Sequence, residues 1–129
     1  MIGHEGKTYG FDRLFGAVRF APQDVPALLK KEPNLLDCTN YSGETVLQFF
    51  SMEGDTKIVS LLLSCGAESD EWSIYFASNF GHIDTLLLLF EAGGKPDVEL
   101  CKRSFLSYEP SKFKIKQMHK LFNSYGFDW

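Results

Sequence analysis

Cysteine is scarce: Cys38, Cys65 and Cys101 are the only three in 129 residues, at gaps of 27 and 36 with no C-x-x-C pair. An odd, widely spaced set excludes a disulfide scaffold and a four-cysteine zinc site. It is the pattern of a reducing, cytoplasmic compartment. Histidine is equally sparse. His4, His82 and His119 belong to no H-x-x-H, H-E-x-x-H or Cys/His cluster, so neither a metal centre nor a catalytic imidazole is expected. The chain also has no G-x-S-x-G elbow, no glycine-rich phosphate loop and no paired-carboxylate motif. No catalytic residue, cofactor or small-molecule substrate is therefore expected. The longest apolar runs, Leu61 to Leu63 and Leu86 to Phe90, fall far short of the roughly 20 residues that span a membrane. Met1 to Gly10 holds no apolar stretch of the kind a secretory signal needs. Cations are in deficit, 13 Lys+Arg against 17 Asp+Glu for a net charge of −4, which argues against nucleic acid as the partner.

What is present is enough for a core. Apolar residues make up 44%, aromatic residues 15% and charged residues 23%, the balance of a single folded domain. The chain also repeats itself. Leu14, Ala17, Ala21, Val25, Leu28 and Leu29 superpose on Leu47, Phe50, Gly54, Ile58, Leu61 and Leu62 at an offset of 33. An offset of 27 carries Leu47, Phe50, Gly54, Leu61, Leu62 and Gly66 onto Ile74, Ala77, Gly81, Leu88, Leu89 and Gly93. The six residues missing from the third unit are expected to come out of the connection between Ala67 and Trp72, because surface connections tolerate deletion and packed helices do not.

Each unit reads as helix, turn, helix, turn. In the second, Thr45 caps a short helix through about Glu53 and Gly54 ends it. Asp55 or Thr56 caps the next helix, which carries Ile58 to Leu63 and stops at Gly66. In the first unit Pro26 marks a helix start, and Glu32-Pro33 an end followed by an extended connection from Asn34 to Tyr41 anchored by Leu35 and Leu36. Asp97 can cap a helix reaching Ser107. Ser111 can cap another with Ile115, Met118, Phe122 and Tyr125 along one face. Helices this short are marginal alone, so each must bury its apolar stripe on a neighbour. The expected architecture is all-α: an N-terminal arm over 1–10, three repeats over 11–40, 41–68 and 69–97, and a degenerate capping unit over 98–129.

Gly43-Glu44-Thr45-Val46-Leu47, then Gly54, then Ile58-Val59-x-Leu61-Leu62-Leu63-x-x-Gly66-Ala67 resembles an ankyrin repeat. Ala77, Gly81-His82-Ile83, Leu86 to Leu89 and Ala92-Gly93 continue the resemblance, which covers about residues 11 to 97. The fold it implies is a solenoid of stacked helical hairpins. Departures are Val46 in place of proline, Gln48 in place of histidine, and Trp72-Ser73-Ile74 in place of the whole signature of the third unit. The Gly81-His82 pair implies a histidine that hydrogen-bonds between loops.

The resemblance implies partner contacts at hairpin tips and at the last turn of each first helix, the positions that line the concave face. Carried onto this chain, the helix ends are Arg19 and Phe20, Met52 and Glu53, and Asn79 and Phe80. The intact hairpin supplies Tyr41, Ser42 and Glu44, and the shortened one Asp70, Glu71 and Trp72. Phe20 and Phe80 have an alternative, folding back under the neighbouring turn. Residues 1–97 hold 7 Lys+Arg and 14 Asp+Glu, whereas residues 98–129 hold 6 and 3. An acidic face of this kind is expected to dock another protein with a basic surface, as an inhibitor or immunity protein neutralising a cationic toxin or effector would. The other expectation is an adaptor or scaffold subunit that assembles through the C-terminal helices with Phe127 and Trp129 as exposed anchors. Lys112, Lys116 and Lys120 recur every four residues and are expected to be the solvated face of the terminal helix. Cys65 is expected to behave as a small buried hydrophobe.

Overall fold

The computed structural model describes residues 2–129, with side chains from Thr8 onward. Among the described residues the structure is all-helical. Four successive helical pairs are formed by α1 (Ile2–Phe20) with α2 (Val25–Lys31), α3 (Val46–Glu53) with α4 (Thr56–Ser64), α5 (Glu71–Asn79) with α6 (Ile83–Glu91), and α7 (Val98–Ser107) with α8 (Lys112–Ser124). The first helices of the pairs lie side by side, α3 on α5 and α5 on α7. The second helices form a row of their own, α4, α6 and α8.

The repeat in the sequence is a repeat in the core. Leu14, Leu47, Ile74 and Cys101 are buried at equivalent places in the first row, and Leu29, Leu62, Leu89 and Phe122 at equivalent places in the second. All of them belong to one continuous core cluster that runs through the adjoining units. That mutual burial stabilises helices whose local propensity cannot hold them.

Local chemistry sets the boundaries. Thr45 and Gln48 form a reciprocal capping box at the start of α3, with Gln48 N–H donating to Thr45 Oγ1 at 3.2 Å and Thr45 N–H to Gln48 Oε1 at 3.0 Å. Asp55, Asp97 and Ser111 accept from the third residues of α4, α7 and α8. Gly54 ends α3 at φ +71°, the left-handed conformation that glycine adopts without strain. The shortening of the third unit falls in the connection from Cys65 to Asp70, where Ser69 Oγ donates to Leu89 O at 2.7 Å and ties the connection to α6.

Four expectations need correction. Residues 2–10 are not an arm ahead of the first repeat but the first half of α1. Thr8, Gly10 and Phe11 are buried, and Gly10 packs so closely on Cys38 and Leu35 that a β-carbon there would collide. That burial overrides the poor helix propensity of glycine. The side chain of His4 lies outside the described residues. Asn34 to Tyr41 is not extended throughout, because Pro33–Asp37 forms a 3-10 helix that buries Leu35. Phe127 and Trp129 are not exposed anchors. Trp129 packs on Phe122 and Phe105 with ring centroids 4.6 and 5.7 Å apart, and Phe127 lies 5.1 Å from Phe90. The C-terminal tail thus folds back and closes the last unit. Cys65 is half-buried, not fully enclosed.

Candidate functional site

The intact hairpin is built around Asn40. Its Oδ1 accepts from Ser42 and Glu44 N–H at 3.0 Å each, and its Nδ2 donates to Glu44 Oε1 at 3.0 Å. Thr39 and Thr45 pair across the base as a single antiparallel bridge. This local network holds Tyr41 at the tip, 73% exposed, with Ser42 beside it. Glu44 is half-buried by its bond to Asn40.

No hairpin forms in the third unit. Asp70 accepts from Ser73 N–H and Ser73 Oγ, capping α5, and also from Gln48 Nε2 at 3.1 Å. Gln48, the departure from the family pattern, therefore caps α3 and links it to the next unit. Glu71 and Trp72 follow on the first turn of α5 and are exposed.

At the other ends of the first helices, Arg19 lays its guanidinium over two rings, 5.2 Å from the centroid of Phe15 and 5.1 Å from that of Phe20. Phe20 is 79% exposed. Phe80 stays half in solvent and leans on Tyr108, with centroids 5.1 Å apart. Tyr108 occupies the place in the fourth unit that Phe80 holds in the third, and only the blurred register beyond Pro96 concealed it. Glu53 is exposed, while Met52 is half-buried with its carbonyl bonded to His82. Asn79 is a correction. It is buried, and its Oδ1 accepts from Ser104 Oγ at 2.6 Å, so it belongs to the seam between α5 and α7 and not to the surface.

The expected residues thus form two rows, one at each end of the first helices. A helix of eight residues such as α3 separates them by about 12 Å. Between the rows runs a strip of residues that the expected site did not include, half-buried Phe49 on α3 and Tyr75 and Phe76 on α5, which meets the expected Trp72 at one end. Trp72 is 52% exposed and stands at 84° to Tyr75, with centroids 5.5 Å apart. Tyr75 and Phe76 meet at 5.4 Å. A clue was available, because Phe49 and Phe76 are related by the 27-residue offset, although Phe49 also packs on Phe15 and Phe50 at 5.2 Å each.

Two of the described titratable groups are clearly shifted. Burial pushes the Cys101 thiol from 9.0 up to about 11, and the hydrogen bond that the Tyr125 hydroxyl donates to the Glu91 carboxylate raises the phenol above its usual range. Both effects make the groups less reactive. Among the described residues no group of three or more His, Cys, Asp and Glu side chains is placed to hold a metal ion. No described helix is long and apolar enough to cross a membrane.

No curated protein and no solved structure matches the chain significantly. A family model does. Residues 14–99 match the model described as ankyrin repeats (3 copies). With the stacked helical pairs, the left-handed glycine turns and the intact hairpin, that match places the chain in the ankyrin-repeat family, whose repeats are modules for protein–protein interaction.

Proposed function

We propose that the chain is a binding module without catalytic chemistry that docks a basic partner protein across its first-helix face, from Tyr41 on the hairpin through Trp72 to Phe20 and Phe80. Its action is occlusion, as in an inhibitor or immunity protein that masks a cationic toxin or effector. The observation that carries the reading is Trp72, a large amphipathic ring left 52% exposed in the middle of the stack, backed by Tyr75 and Phe76. Aromatic anchors of this kind dominate interface energetics. Glu53, Glu68, Glu71 and Glu99 are exposed on or beside this face. Carboxylates flanking an aromatic anchor favour a cationic partner and speed its capture. The adaptor reading loses its support, because Phe127 and Trp129 are spent on the fold.

The test is to capture the partner from the native source, reconstitute the purified complex and map amide exchange. Protection is expected at the hairpin, on α3 and on α5, with affinity that falls as salt rises. Protection confined to α4, α6 and α8, or affinity indifferent to salt, contradicts the proposal.

A further inference from the structure

Between the hairpin of the second unit and the shortened connection of the third lies an open hollow of about 430 Å³. Asp37, Glu68 and Asp70 line it, and no lysine or arginine does. Asp70 is engaged in capping α5, whereas the carboxylates of Asp37 and Glu68 make no side-chain hydrogen bond or ion pair among the described residues. Two residues past Asp70 stands Trp72, nearly perpendicular to Tyr75, so that the rings form a corner with an exposed indole wall. Glu71 precedes it. On the adjoining helix Glu99 occupies the place that Trp72 holds on α5, 27 residues on, in the register fixed by the caps Asp70 and Asp97. Lys102 and Arg103 lie one turn farther along α7, which confines the negative potential to the helix starts.

We propose that the partner presents arginine at this corner: one guanidinium stacks on Trp72 between Glu71 and Glu99, and a second basic side chain enters the hollow of Asp37 and Glu68. This rests on the docking reading above and names its chemistry. An aliphatic guest leaves the carboxylates unpaired. A lysine ammonium holds its water more tightly and offers no plane to stack. A guanidinium is planar and weakly hydrated, and it pairs with carboxylates while lying on a ring. The chain uses both arrangements internally, Arg19 over Phe15 and Phe20, and Arg13 paired with Glu32 at 2.6 Å.

The probe is the peptide Gly-Arg-Gly-Arg-Gly, blocked at both ends, titrated into the full chain while the backbone amide resonances of Glu71, Tyr75 and Glu99 are followed, with the Trp72 indole N–H read alongside in the parent chain. The uncharged twin carries citrulline in place of arginine. Saturable shifts are expected with arginine and about tenfold weaker binding with citrulline. Trp72→Leu abolishes binding, and the double variant Asp37→Asn/Glu68→Gln weakens it about threefold. Equal affinity for the citrulline twin, or binding that survives Trp72→Leu, overturns the arginine assignment. Failure of the docking reading is distinct: it appears as a native partner whose exchange footprint misses Trp72 altogether.

Discussion

The imidazole Nε2 of His82 lies 2.8 Å from the carbonyl oxygen of Met52, and the same ring occupies the space that a side chain at position 54 would need. One residue of the third unit thereby satisfies the last turn of α3 and seals the turn after it. His82→Ala is expected to cost about 1 kcal/mol, the value of a part-buried hydrogen bond. Gly54→Ala costs more, about 2–3 kcal/mol, because φ is +71° and the new β-carbon would fall 2.6 Å from the ring. Urea unfolding of both variants and their double mutant checks the geometry. Removing the ring should recover part of the Gly54→Ala loss, and strict additivity would contradict the contact.

Glu109 sits where the second and third units have Gly54 and Gly81, and it adopts the same left-handed backbone at φ +52°. A non-glycine residue there is strained, the more so before Pro110. Glu109→Gly is expected to stabilise the protein by up to about 1 kcal/mol, with part of the relief offset by the greater freedom of glycine in the unfolded chain. A lower melting temperature in calorimetry would count against the strain.

Cys101 is buried in the α5–α7 seam and its thiol is raised from 9.0 to about 11. Between those values the unfolded chain releases the proton while the folded chain keeps it. Stability from this group is therefore full below pH 9 and falls as pH climbs toward 11. Cys101→Ser should flatten that part of the curve. Under native conditions at pH 8, iodoacetamide should label the half-buried Cys38 and Cys65 ahead of Cys101, read by mass spectrometry.

The C-terminal tail is structural. Removing Phe127 to Trp129 exposes Phe90, Phe105 and Phe122 and is expected to cost about 3 kcal/mol. Partner affinity of the fraction that stays folded should not change. Undiminished stability with lost binding would instead return the tail to the surface.

These outcomes mark where local rules suffice. The caps at Thr45, Asp55, Asp97 and Ser111, the left-handed Gly54 and the N-terminal Pro26 depend on neighbours within four residues, and a linear sequence displays them directly. Leu29, Leu62, Leu89 and Phe122 were legible because repetition turns long-range packing into a sequence period. Asn79 and Trp129 were not. Whether a polar residue at a helix end faces water depends on Ser104 across the seam, and whether a terminal indole is free depends on how the chain returns over Phe122. The same gap hid the strip of Phe49, Tyr75 and Phe76, since a half-buried aromatic and a core aromatic look alike in one dimension. Of the expected site, Tyr41, Trp72 and Phe20 stand in solvent, while Asp70 and Glu44 are drawn into capping and hairpin bonds.

Trp72→Leu, assayed side by side for partner affinity and melting temperature, addresses the docking face most directly. The substitution removes an exposed ring without opening the core, so the melting temperature should stay within about two degrees of the parent. Affinity should fall at least about tenfold, as for a central aromatic anchor. Unchanged affinity at unchanged stability would place the partner elsewhere on the molecule and contradict the account.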